Sequence, residues 1–397
     1  MRLVRSDVRV RKMKEVYFDN SATTACSEGV IRIVSEVMRD AYGNPSSMHM
    51  MGVEAEKYCK NAAQTLADLL KVSPDEILFT SGGTESNNLA IKGAAYAYQR
   101  LGRHIITTQV EHPSVYNVTA QLEKEGFEVS YLPVNAEGIV EPQSYLNALR
   151  ADTILTSIMT VNNEIGSRQP VEELAKIKND NNPDSIFHTD AVQAFSKYRI
   201  YPAKAGIDLL SVSGHKFHAP KGVGALYIRK GVRVIPQILG GGQQHAMRSG
   251  THPVPQIAGL GLAAAEAYTD FENKISHLCG LREYMIDALM KIEGVVLIGP
   301  SKENSAPHIV SAAFPPVRSE VLLHALEDKG IYVSSGSACS SNSAEASKTI
   351  RAIGIGKPLS DSVIRFSFCN TNTFEEIEYC IEMLKALLPI LKKYARR

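Results

Sequence analysis

No two of the chain's six cysteines, at positions 26, 59, 279, 339, 369 and 380, stand close enough to form a C-x-x-C pair. That spacing argues against a structural zinc site or a disulfide framework, so no metal is expected and the compartment is read as reducing and cytoplasmic. No apolar run approaches the roughly 20 residues that a membrane helix needs. The basic start MRLVRSDVRVRK has no apolar segment of the kind a secretory signal carries. Residues 1–15 are read as a frayed tail; Asp7 and the shortness of the basic run count against a transit peptide. Excess charge is missing too: 43 Lys and Arg face 42 Asp and Glu, a net +1. No whole-molecule field pulls such a chain toward nucleic acid or a membrane surface, which leaves small molecules and other proteins as partners.

What remains is ordinary globular material, 44% hydrophobic and 21% charged in 397 residues, enough for two to three domains. From about residue 52 to 230, helical patterns such as VEAEKYCKNAAQTLADLL, ESNNLAIKGAAYAYQR and PSVYNVTAQLEKEG alternate with strand-like runs: ILFTS, HIITTQ, EVSYLPV, TILTSIMTV, SIFHTD, LLSVSG and GALYIRK. Such alternation predicts an α/β fold, a mainly parallel sheet with helices on both faces. Beyond LGGGQQHAMRSGTHPVP the pattern changes to long helices with three later strand candidates, HIVSAAF, IYVSSG and VIRFSF. The boundary is placed at residue 262: 16–262 a large domain, which the first few of those residues leave to join the other, and 263–397 a smaller α+β domain.

Three segments carry candidate chemistry. In SGGTESNN (81–88) two glycines turn the chain into a helix start whose free N–H groups favour a phosphate, with Ser81, Thr84 and Ser86 adding hydroxyls. An ordinary turn and N-cap reads equally well. SIFHTDAVQ ends a strand in Asp190, where open α/β sheets place ligands; a helix N-cap is the alternative. SVSGHKFHAPKG delivers Ser213, His215 and Lys216 into a glycine-bounded turn. Desolvation there would free the Lys216 amine as a nucleophile, although most lysines are surface residues. Pyridoxal phosphate unites the three, since it needs a lysine for a Schiff base, a carboxylate for the pyridinium nitrogen and a polar turn for the phosphate. A fourth segment, SSGSACSSNS (334–343), hangs Cys339 in a run of glycine and serine that cannot bury a thiol.

Ten segments in a single order, FDNSATT (18–24), YGNPSSMH (42–49), TSGGTESNN (80–88), EHPSV (111–115), NNEIG (162–166), HTDAVQ (188–193), SGHKFHAPKG (213–222), RSGT (248–251), SSGSACSS (334–341) and IRFS (364–367), resemble the NifS/IscS-type cysteine desulfurases. These are class V aminotransferase-like, fold type I pyridoxal-phosphate enzymes. The resemblance runs from about residue 15 to the C-terminus and implies a seven-stranded-type sheet and a homodimer.

It also implies roles. Lys216 carries the internal aldimine and shuttles protons, His112 stacks on the ring and serves in acid–base steps, Asp190 keeps the ring nitrogen protonated, and Gln193 reaches the phenolic oxygen. Gly83, Thr84, Ser213 and His215 hold the phosphate, joined by Thr251 of the neighbouring subunit. Asn163 meets cofactor and substrate, Arg365 grips the substrate carboxylate, and Asn44 adds a further substrate contact. Cys339 takes the sulfur of L-cysteine as a persulfide, releases alanine, and passes the sulfur to an acceptor or iron–sulfur scaffold protein. For that carriage the segment from about Gly336 to Ala346 is expected to be mobile. Selenocysteine lyase is the rival within the cofactor class, and the SSGSACSS segment favours desulfurase. A non-enzymatic scaffold would have no use for Lys216, Asp190, His112 and Cys339 together. The chain departs from the family pattern at Ala219 and in FCNTNT (368–373), where Cys369 stands close to Arg365 in sequence.

Overall fold

A computed structural model describes residues 15–335 and 347–395. The 1–14 tail, Cys339 and the 336–346 stretch expected to be mobile lie outside the described residues.

The strands, in chain order, are β1 (Val16–Tyr17), β2 (Ile77–Thr80), β3 (His104–Thr108), β4 (Glu128–Leu132), β5 (Thr153–Ser157), β6 (Ile186–Asp190), β7 (Leu209–Ser213), β8 (Gly224–Ile228), β9 (Val296–Ile298), β10 (Ile309–Ala313), β11 (Ile331–Tyr332), β12 (Ser334–Ser335) and β13 (Val363–Ser367). Seven form one sheet in the order β2-β8-β7-β6-β5-β3-β4. It is the mainly parallel sheet expected: only β8 runs against its neighbours β2 and β7. β3, β5, β6 and β7 are buried throughout, as strands covered by helices on both faces must be.

This topology positions the site. Strand β6 ends at Asp190 and β7 at Ser213, and the chain leaves β2 and β3 through Ser81–Thr84 and Glu111–His112. The carboxyl ends of parallel strands are where open α/β sheets bind ligands.

A second hydrophobic core gathers around a four-stranded antiparallel sheet, β12-β13-β10-β9, with Phe314, Phe366, Leu322 and Leu384 in it. Val16 and Phe18 join this core, and β1 pairs with β11, so the first described residues belong with the smaller unit. The boundary expected at residue 262 falls inside a helix, Val254–Tyr268, whose Ala263 and Ala264 still pack into the large core. The change of core comes at Thr269–Asp270, before the helix Phe271–Leu289. The run IYVSSG, read as one strand, switches partner at Val333: β11 pairs with β1 and β12 with β13.

Candidate active site

Ten of the expected residues, Gly83, Thr84, His112, Asn163, Asp190, Gln193, Ser213, His215, Lys216 and Arg365, line one cavity of about 530 Å³. Asp190, only 5% exposed, is satisfied by neutral donors: Val192 N–H donates to Oδ1 at 2.9 Å and Asn87 Nδ2 to Oδ2 at 2.7 Å. Lys216 closes a short 3₁₀ turn after β7, and its Nζ donates to the carbonyls of Ser21 (2.7 Å) and Ala22 (2.8 Å). Gln193 Nε2 donates to the same Ser21 carbonyl at 2.9 Å, while its Oε1 lies 3.3 Å from His308 Nε2.

His112 caps the helix Pro113–Lys124. Its Nδ1 is 2.8 Å from Ser114 Oγ and accepts from Ser114 N–H at 3.1 Å. Burial holds its pKa below the ordinary histidine value, with Asp190 opposing and Lys216 reinforcing that shift. Burial, then the cations Lys216 and Lys221, pushes His215 down to about 4. Glu111 goes the other way, raised to about 8 by burial. Its Oε1 accepts from Thr108 Oγ1 and Met159 N–H, and its buried Oε2 meets no partner among the described residues.

The helix Gly83–Tyr98 starts beside Ser213 with no side-chain cap on its first N–H groups. A Cβ at Gly83 would stand 2.8 Å from Val192 Cγ2, so glycine keeps this approach open. On the opposite wall Arg365, in β13, donates from Nη2 to Asp19 Oδ1 at 2.7 Å and from Nη1 to the Asn163 carbonyl at 2.8 Å; its buried Nε has no partner among the described residues. Ser334 lines the same cavity just before the stretch that holds Cys339. Just after that stretch, Ser347 and Thr349 donate to the half-buried carboxylate of Glu164, next in sequence to Asn163. Two expected residues lie elsewhere: Asn44 is exposed between the first two helices, its Oδ1 accepting from Ser46 N–H at 3.0 Å, and Thr251 is exposed in the loop before Val254–Tyr268.

Residues 16–380 match the aminotransferase class-V family. The chain is 43% identical over 380 residues to the cysteine desulfurase IscS of Dictyoglomus turgidum, covering 96% of each chain. It is 44% identical to that of Methanosarcina thermophila, covering 96% of this chain and 93% of the other. Among solved structures it superposes on a NifS-like protein with a TM-score of 0.90 at 39% identity, covering 95% of this chain and all of that one. The chain belongs to the IscS/NifS-type class-V aminotransferase family.

Within this class-V frame the departure at Cys369 is turned away from the active cavity. Its thiol, 3.1 Å from Thr371 Oγ1, faces a separate cavity of about 690 Å³ between the two cores, which Lys197 also lines. Cys59 and Cys380 are buried, and Cys279 is half-buried. Sequence reasoning missed Asp19, Ser21, Glu111, Asn87, Ser114, Glu164 and His308. All seven stand inside segments quoted above, yet each meets a partner far off along the chain. The one legible signal was the density of Asn and Ser in TSGGTESNN and EHPSV, residue types that bury only when hydrogen-bonded.

Proposed function

We propose that the chain is a pyridoxal-phosphate-dependent cysteine desulfurase that converts L-cysteine to L-alanine and hands the sulfur to an acceptor or iron–sulfur scaffold protein. One observation carries the reading: a lysine, a buried strand-end carboxylate and an imidazole share a cavity with Arg365 and with Ser334, which stands just before the segment holding Cys339. The walls suit the cofactor. Asp190 offers a carboxylate for a ring nitrogen, the uncapped helix start with Ser213 and His215 offers donors for a phosphate, and Gln193 offers an amide. Bound there, pyridoxal phosphate supplies the electron sink that lets bonds of the amino acid break.

The chain's own groups supply the rest. Lys216 Nζ, freed from the Ser21 and Ala22 carbonyls, holds the cofactor and afterwards moves a proton at the substrate's α-carbon. Arg365, held in place by Asp19 and Asn163, binds the substrate carboxylate through its remaining N–H groups, with Asn163 beside it. Cys339 then bonds to the substrate sulfur as the carbon–sulfur bond breaks. The sum is E–SH + HS–CH₂R → E–S–SH + H–CH₂R, balanced without an oxidant. The family relationship supports a homodimer, in which Thr251 reaches the partner's phosphate site. The exposed Tyr42, Met48 and Met50 beside Asn44 supply an apolar surface for that contact. A cytoplasmic location accords with free thiols at all five described cysteines.

Mass spectrometry after addition of L-cysteine tests this reading. A mass gain of one sulfur atom on Cys339, lost in Cys339→Ser and kept in Cys369→Ser, is expected. Sulfur carried on another cysteine, or none with cofactor present, would overturn it.

A further inference from the structure

Hydrogen-bond donors and acceptors beside His112 leave its ring one consistent proton arrangement. Asp190 in its ionised state only accepts, so the Asn87 atom 2.7 Å from its Oδ2 is the amide nitrogen, and Asn87 Oδ1 is left buried without a partner among the described residues. The second hydrogen of that nitrogen goes to Ser114 Oγ at 2.8 Å. Ser114 Oγ thus accepts from Asn87 and has one proton of its own, and its other neighbour, at 2.8 Å, is His112 Nδ1. The Ser114 backbone N–H points at the same Nδ1 from 3.1 Å. A nitrogen that receives two donors carries no proton.

From this chain of contacts we infer that Asn87 and Ser114 are positioning residues that lock His112 as the neutral tautomer protonated at Nε2, presenting a proton donor to the active cavity. The inference rests on the proposed place of His112 over the cofactor, but its test reads the protein's protonation and not its turnover. Imidazolium formation requires a proton on Nδ1, against an O–H and an N–H that both point there, in line with the depressed pKa of this ring. Taking a proton from the substrate therefore falls to Lys216, and His112 acts by giving one or by polarising from Nε2. Asp190 is linked to the same arrangement through Asn87, so its charge sets the direction of every donor as far as His112.

Long-range ¹H–¹⁵N correlation spectra of protein labelled with ¹⁵N-histidine, recorded with and without cofactor and assigned with His112→Gln, test this directly. The expected result is an unprotonated Nδ1 and a protonated Nε2 on His112 through neutral pH. Ser114→Ala removes the O–H donor that favours the neutral ring, so the His112 titration midpoint should rise by about one pH unit. Ser114→Thr, which keeps the hydroxyl, should restore both tautomer and midpoint. A parental spectrum with the proton on Nδ1 would overturn the inference without recourse to any variant. So would an unchanged tautomer and midpoint in folded Ser114→Ala.

Discussion

Glu111, the residue before His112, is kept as a protonated acid into the neutral range. Its folded pKa of about 8 lies above the ordinary carboxyl value, so the folded chain holds a proton there that the unfolded chain has released. The stability it contributes is complete below about pH 4.3 and is lost as the pH rises toward 8. Glu111→Gln fixes the neutral form, and thermal unfolding between pH 6 and 8 should then decline less with pH than in the parent. A parallel decline in both proteins would contradict the assignment. His308, buried with its Nε2 against Gln193 Oε1, orients an amide whose nitrogen faces the Ser21 carbonyl. His308→Ala removes one neutral hydrogen bond of about 1 kcal/mol, and cofactor affinity measured by fluorescence titration should fall about fivefold. Lys216 and Asp190 were legible because each ends or follows a strand, whereas His112 came only from the resemblance carried by EHPSV. Asn87, Ser114 and His308 were not legible: an amide, a hydroxyl and a neutral imidazole gain their roles from partners 103, 27 and 115 positions away.

Strand β8 shows what alternation along a sequence hides. GALYIRK is visible as a strand, but its direction is not a property of its own residues. Only ten residues, 214–223, separate β7 from β8, and a parallel crossover takes a dozen or more. The reversal was therefore written in the length of the loop, whose shortness also holds Lys216 against the end of β7. Gly224 opens β8 beside the turn proposed to hold the phosphate, where a Cβ would stand 2.5 Å from the Val212 carbonyl and 2.7 Å from Gly82 Cα. Those are backbone atoms with no room to yield. Gly224→Ala should lower cofactor affinity at least tenfold, whereas Gly356→Ala, where a Cβ meets nothing within 4 Å, should leave it unchanged. Equal affinities in a titration would show that the turn does not depend on this packing.

At the scale of the molecule, the large core is tied together by a buried ionic group away from the site. Asp208 accepts from Lys178 Nζ at 3.2 Å, Arg229 Nε at 2.6 Å and Phe187 N–H at 2.8 Å; the Lys178 and Asp208 side chains are 1% and 2% exposed, that of Arg229 45%. Asp208→Ala strands a buried ammonium and should cost about 3–5 kcal/mol, while Arg229→Ala, at a wet position, should cost about 1 kcal/mol or less. Denaturant unfolding separates the two, and similar losses would contradict the assigned burial. His188, fully enclosed in β6, and His215 have folded pKa values of about 3 and 4. Below about pH 6.5 the unfolded chain takes up protons that these rings refuse, so both favour unfolding progressively as the pH falls. The boundary expected at residue 262 precedes the change of core by a few residues because AGLGLAAAEAY continues one helical pattern past it. Its glycines are there for close approach to Ala62 and Pro220, not to end the helix.

The fate of the substrate sulfur is the most direct test of the proposed desulfurase chemistry. With cofactor bound and L-cysteine supplied together with a thiol reductant, alanine and sulfide should appear in equal amounts. Lys216→Ala should yield neither, and Cys339→Ser should keep the cofactor's visible absorption yet lose both products. Alanine and sulfide at the parental rate from Cys339→Ser, or pyruvate and ammonia in place of alanine from the parent, would contradict it.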